Sequence, residues 1–306
     1  MPPACCFYHS LHWRWLSTGI RRQWTAVCGK SARPASPILI LGTHHVGRSG
    51  DALPDNIRRI LQQSDRLITE VAMPSEPDAA YSRDVAAMRG RAFQNGGRKL
   101  SSVIGAENVA ALKKRLSAYP ATAASAAGLD DMTPWGALML QASVKPQGFQ
   151  TASGMDRLLA RAAEQYLIPA DSLERYQDIT RPYETLPTAR IAELIAANNR
   201  HPEQTAAQIE RQYTLYHSGR LKELMRLSAD SSEYSKGLPP QSTAFWQNWL
   251  EESVLLPRNR AWLPKILNEL PKRRNLIAVG IARLPDENGL IMQLRRQGYT
   301  VEPVAE

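Results

Sequence analysis

Cysteine is missing from most of this chain of 306 residues: all three, Cys5, Cys6 and Cys28, lie near its start. Beyond residue 36 a thiolate zinc site and a disulfide framework are therefore excluded, and the compartment stays open between cytoplasm and cell envelope. Long hydrophobic runs are missing too. No stretch approaches the roughly 18 consecutive apolar residues of a membrane-spanning helix. Acidic side chains are missing from residues 1–36, which carry Arg14, Arg21, Arg22, Lys30 and Arg33 beside Trp13, Trp15 and Trp24. That segment reads as a basic leader outside the folded body. It lacks the unbroken apolar stretch of a secretory signal, because YHSLHWRWL is interrupted by Arg and His. The net charge of +9 shrinks to +4 beyond the leader, where 33 basic residues face 29 acidic ones. Clusters such as KKR at 113–115 and PKRRN at 271–275 then read as solvated faces, and specific nucleic-acid binding is not expected.

Histidine is scarce, with six in the chain. His9, His12, His201 and His217 have no site-like surroundings, whereas His44 and His45 stand side by side in LGTHHVG, just after an apolar run. Hydrophobic residues make up 43% of the sequence, enough for residues 37–306 to form one domain with a sizeable core.

The apolar pattern organises that domain. ILIL reads as a short buried strand ending at Gly42, LPDNIRRILQQSD as a helix with Ile57, Ile60 and Leu61 on one face, and RLITEV (66–71) as a second strand. From about 78 to 270 the spacing is helical. Pro202 opens one long helix and Gly219 closes it after His217. Stripes such as Phe245, Trp246, Trp249 and Leu250, or Trp262, Ile266, Leu267 and Leu270, read as core. The C-terminal segment then repeats the first: NLIAVG (275–280), a tight IAR loop, LPDENGLIMQLRRQGY, and a closing strand over 299–304. The fold class is α+β and mostly helical, with two strand-loop-helix-strand units forming a central mixed sheet and a large helical insert packed around it. One sheet would bring His45 and Arg283 together, each beyond a strand's carboxyl end, where such sheets bind ligands.

The residues that carry this pattern resemble the TraB/GumN family, which is related to the Tiki metalloprotease domain and, more distantly, to erythromycin esterase and the ChaN-like proteins. The likeness spans about residues 37–304 and includes GTHH, Glu70 in LITEV, the PW of TPWGALML, GMDRLLARAA, LE at 173–174, YHSGRLKEL, LLPRNRAWLPKI and AVGIARLPDENGLIMQLRRQGYTV. In Tiki-like members the resemblance implies a metal-dependent hydrolytic site of two Gly-x-x-His motifs and a glutamate. The first motif falls on Gly42 and His45, and the glutamate on Glu70. The second falls on Gly280 and Arg283, so its histidine is missing.

That loss matters because a guanidinium is charged and has no lone pair to give a metal. The implied divalent ion, of Mn or Co type, would rest on His45 and Glu70 with help from His44 or Asp156, or would not bind at all. His44 is the weaker substitute, since adjacent residues on an extended loop point apart. Glu70, in an apolar strand, is either a ligand or the partner of Arg283 in an ion pair. Arg258 and Asn259, read as opening a helix, either line the same cleft or anchor that helix. Two functions follow: a hydrolase of peptide or ester bonds using His45, Glu70 and Arg283, or a non-catalytic binding or regulatory protein linked to the envelope or to conjugation. Its ligand would be a peptide or a small molecule.

Overall fold

A computed structural model describes residues 24–28, 38–230, 237–269 and 273–303. Its centre is a sheet of six strands: β1 (Trp24–Cys28), β2 (Ile38–Thr43), β4 (Arg66–Val71), β6 (Ala170–Glu174), β7 (Asn275–Gly280) and β8 (Thr300–Pro303), in the order β6-β4-β7-β2-β1-β8. The four strands β6, β4, β7 and β2 run parallel, and β1 is antiparallel to both β2 and β8. Two further short strands, β3 (Gly47–Arg48) and β5 (Phe149–Gln150), pair with each other. The chain is α+β and mostly helical, as the sequence pattern implies.

The two repeated units are interleaved rather than side by side. β7, from the C-terminal unit, inserts between β2 and β4 of the N-terminal one. All six of its residues are buried, which is why NLIAVG reads as one continuous apolar run rather than an alternation. β2 and β7 align Gly42 with Val279 and Thr43 with Gly280, so both glycine-containing strand ends open on the same edge.

Two sequence readings change here. Within the basic leader, Trp24–Cys28 form β1 and belong to the sheet, while residues 1–23 and 29–37 lie outside the described residues, as does Leu270. The second change is β6, a strand inside the segment read as helical. ADSLE buries only Leu173, because it lies at the sheet's edge and shows no alternating apolar face.

Three cores hold the layers. On one face of the sheet, Leu41, Leu67, Leu276 and Ala278 pack with Ile57 and Leu61 of helix Asp55–Gln63, with Leu159 and Ala163 of helix Met155–Gln165, and with Leu215 and Tyr216 of helix Pro202–His217. On the other face, Ile40, Ile68, Ile277 and Val279 meet Trp262 and Ile266 of helix Leu256–Glu269 and Leu290 and Leu294 of helix Leu290–Arg296. A third core is the helical insert's own, built around Leu112, Leu116, Trp135, Ile195 and Trp246. Among the described residues no helix is long and apolar enough to cross a membrane.

Helix ends follow the local chemistry. Helix Pro202–His217 closes on Gly219 at φ 70°, with Gly219 N–H donating to Tyr216 and Arg220 N–H to Leu215, the double turn that glycine permits. Helix Met155–Gln165 ends in the same double turn, Leu167 N–H to Glu164 and Ile168 N–H to Ala163, but the left-handed position is held by Leu167 at φ 54°. Its side chain is 90% exposed and gains nothing from packing. Leu167→Gly removes the side chain's clash in that conformation, less the extra chain entropy of glycine, and should stabilise the protein by about 0.5–1 kcal/mol. Thermal unfolding would show a rise of about 1–4 °C; a fall would contradict the left-handed turn.

Candidate functional site

The site lies where β2 and β7 end. Gly154, just before helix Met155–Gln165, sits so close to the chain after β2 that a Cβ there would lie 2.4 Å from the His45 carbonyl oxygen. Met155 N–H donates to the His44 carbonyl at 2.9 Å. The helix start is thus docked on the His44–His45 backbone, and its second residue, Asp156, meets the His45 ring: Nδ1 and Oδ2 are 2.6 Å apart. A carboxylate in the first turn of a helix also suits the positive end of the helix dipole.

The pair is strongly polarised. Asp156 is the main reason the His45 imidazole is pushed up to about 9, against burial and with further support from Glu70. Burial alone would raise the Asp156 carboxyl, but the His45 charge and hydrogen bond more than offset it and hold that group below its ordinary value. His45 is therefore an imidazolium at neutral pH, with Nδ1–H donating to Asp156. Its side chain is nevertheless 58% exposed, so this is an open site, and water on the exposed face screens part of Asp156's pull.

Glycine at 280 lets His45 and Glu70 close on the end of β7. A Cβ on Gly280 would lie 2.9 Å from His45 Nε2 and 3.1 Å from Glu70 Oε1, so both groups pack against the glycine and lie within about 6 Å of each other. Backbone conformation does not demand glycine there, since φ is −52°. Its smallness is what matters.

Glu70 is engaged on both oxygens. Oε1 accepts from Gly280 N–H at 2.7 Å and lies 3.7 Å from Arg283 Nε, while Oε2 accepts from Arg258 at 2.9 Å. Arg258 also makes a two-pronged ion pair with Glu174, at the end of β6. Glu174 accepts from Trp262 Nε1 at 3.3 Å. Both guanidinium groups stack on the Trp262 ring, Arg258 at 5.0 Å and Arg283 at 4.8 Å from its centroid. Arg283 is 4% exposed. Burial, opposed by Glu70, pulls it down to about 10, so it stays protonated at neutral pH.

Arg283 is anchored from behind as well as in front. Its guanidinium donates to the carbonyls of Val254 and Leu255, at 2.7 and 3.2 Å. These carbonyls close a π-helical stretch, Leu250–Leu255, that precedes Pro257, which has no N–H for the ladder. Asn259 is buried and donates to the carbonyls of Arg283 and Asn288, tying the IAR loop to the helix.

Several sequence-derived candidates thus converge: Gly42, His45, Glu70, Asp156, Arg258, Asn259, Gly280 and Arg283. His44 does not join them. Its ring bonds the Val46 carbonyl at 2.8 Å and faces Tyr216, whose hydroxyl donates to the Gly42 carbonyl at 3.1 Å. Arg258 and Asn259 fall in the first turn of helix Leu256–Glu269, which follows the π-turn Leu250–Leu255 without a break. Sequence reading missed Glu174 and Trp262 as site residues. Glu174 carried one signal, its place in the LE pair of the family resemblance, although its strand was read as helical, and Trp262 was read only as core.

A family model described as the TraB/PrgY/gumN family matches residues 29–303. The chain belongs to the TraB/PrgY/gumN family. No curated protein and no solved structure matches it. For this family member, the donors available to a divalent ion are poor. His45 Nε2 carries a proton at neutral pH, Glu70 is bonded to an amide and a guanidinium, and two arginines bracket the position. Among the described residues no three His, Cys, Asp or Glu side chains converge to hold a metal ion. The residues at the site do not fit a metal ion.

Proposed function

We propose that this TraB/PrgY/gumN protein is a binding or regulatory member of its family that holds an anionic group, the carboxylate of a peptide or small molecule, at the solvent-facing opening beside His45 and does not hydrolyse it. One observation carries the reading: Glu70 accepts on both oxygens, from Gly280 N–H and Arg258, with Arg283 alongside, while the His45 ring, held by Asp156 and pushed up to about 9, is 58% exposed at the strand end. An exposed imidazolium favours an anion. A hydrolytic water would need a base; the imidazolium has no lone pair at neutral pH, and the Glu70 carboxylate is held by Gly280 N–H and Arg258 with Arg283 beside it.

The hydrolase reading draws on a different feature, the buried Asp156 behind His45, which is how a general base or metal-ligating imidazole is commonly oriented. The two separate by experiment. The full chain, loaded with Mn, Co or Zn and desalted, should retain far less than one metal per chain. Calorimetry with short peptides at pH 7 should show binding that falls about tenfold or more when the C-terminal carboxylate is amidated. Gly280→Ala should abolish that binding while leaving the circular-dichroism spectrum unchanged. Stoichiometric metal that is lost in His45→Ala, or turnover of the peptides, would replace this reading with the enzyme.

A further inference from the structure

We infer that a second ligand site, separate from the His45 opening, lies in the helical insert and takes a small organic anion with a compact apolar body. The site is a cavity of about 530 Å³ whose walls include Arg115, Tyr119, Lys145, Phe149 and Ala206. That volume falls within the range of small-molecule pockets, and a mostly apolar wall with a few convergent polar groups is their usual composition.

The charge of the wall is one-sided. Arg115 belongs to the KKR cluster at 113–115, but unlike the exposed Lys113 and Lys114 it is half-buried. One of its terminal nitrogens donates to the Asn198 carbonyl at 2.7 Å, in the last turn of helix Thr188–Arg200. Lys145 is half-buried as well, and its ammonium donates to the Ala142 carbonyl at the end of helix Pro134–Ser143. Each cation is thus held in place by a helix-end carbonyl, which satisfies one N–H and offsets its charge only in part. Neither has a carboxylate partner among the described residues. Glu203, the acid nearest in sequence to the wall residue Pro202, is engaged with His201 Nδ1 at 3.3 Å and does not line the cavity.

Burial alone pulls both Arg115 and Lys145 below their ordinary values, with no anion to offset it. Two half-buried cations in one cavity lining, neither with a carboxylate partner, are a cost that a bound anion would offset. The first turn of the 16-residue helix Pro202–His217 also lines the cavity, through Pro202, Thr205 and Ala206, and adds the positive end of its dipole. Tyr119, Pro120, Pro146 and the buried Phe149 also line the cavity and supply surface for an apolar or aromatic body. Guanidinium and ammonium accept either a carboxylate or a phosphate monoester, so the shared chemistry is the anionic head on a compact hydrophobic group.

The test is a calorimetric titration of the full chain at pH 7 with 2-naphthoate, 2-naphthyl phosphate and the neutral 2-naphthamide. At least one of the anions should bind, with the amide about tenfold weaker or worse, and the tighter anion identifies the head group. Arg115→Gln with Lys145→Gln should weaken the anion by about tenfold or more and leave the amide unchanged. Ala118→Trp, at an exposed position on the cavity rim, should block all three compounds while the melting temperature holds. Failure of both anions to bind, equal affinity for acid and amide, or full binding to the folded Ala118→Trp variant would overturn the proposal. None of these outcomes depends on His45, so Gly280→Ala should bind the naphthyl anions normally.

Discussion

Replacing Arg258 with methionine is expected to lower stability by about 3–5 kcal/mol, read by urea unfolding at pH 7. Arg258 is 15% exposed in its side chain, and it neutralises two carboxylates of similar depth, Glu70 at 13% and Glu174 at 10%. Without it Glu174 keeps only Trp262 Nε1, and Glu70 keeps Gly280 N–H and the more distant Arg283. The cost comes from leaving buried charge unpaired more than from the pair's own worth, so Arg258→Met combined with Glu174→Gln should recover much of the loss. An exposed pair sets the scale. Arg220 and Glu223 are also bonded two-pronged, yet they are about half exposed, and Arg220→Met should be indistinguishable from wild type. An Arg258→Met loss as small as that of Arg220→Met would mean the network contributes nothing to the fold.

The sheet was legible where burial is strong and symmetric. RLITEV and NLIAVG match β4 and β7 in both position and limits, because inner parallel strands are apolar on both faces. β6 was not, since an edge strand with one buried residue leaves no periodic trace in ADSLE. The interleaving of the two repeated units was equally invisible. Local pattern determines that two strand-loop-helix-strand units exist, but which strand inserts between which is decided by tertiary packing.

The site was legible in its members more than in their relations. Glycines and histidine at the end of a strand pointed to a candidate ligand-binding edge, and arginine at 283 already argued against a metal ligand at that position. That Asp156 would grip His45 depends on Gly154 allowing a helix to dock on the chain after β2, a contact between segments more than a hundred residues apart. The same distance hid Glu174, which enters only because Arg258 reaches across to both strand ends. Trp262 was rightly placed in the core by its spacing, yet the face it turns to Arg258 and Arg283 makes it the shelf of the site.

Asp156→Asn should bring the His45 midpoint down from about 9 to near 6.5 or below, followed by NMR of the ring protons across pH 5–10. An asparagine oxygen can still accept the Nδ1–H bond, so the ring keeps its place while the charge that chiefly raised it is gone; burial and Arg283, which lower it, remain against the smaller lift from Glu70. In the wild type the folded value lies above the unfolded one, so His45's contribution to stability is complete below about pH 6.5 and is lost as pH rises through 9. Stability of the wild type should therefore decline across that window, by less than the shift alone implies because the ring is 58% exposed, and the decline should vanish in Asp156→Asn. The same substitution converts Nε2 from donor to lone pair at pH 7.5. Carboxylate binding should fall with it, and any appearance of metal binding in the variant would show that the proton on His45, held there by Asp156, is what turns this site from a cation to an anion. A midpoint that stays near 9 would mean that Asp156 is not the source of the charge.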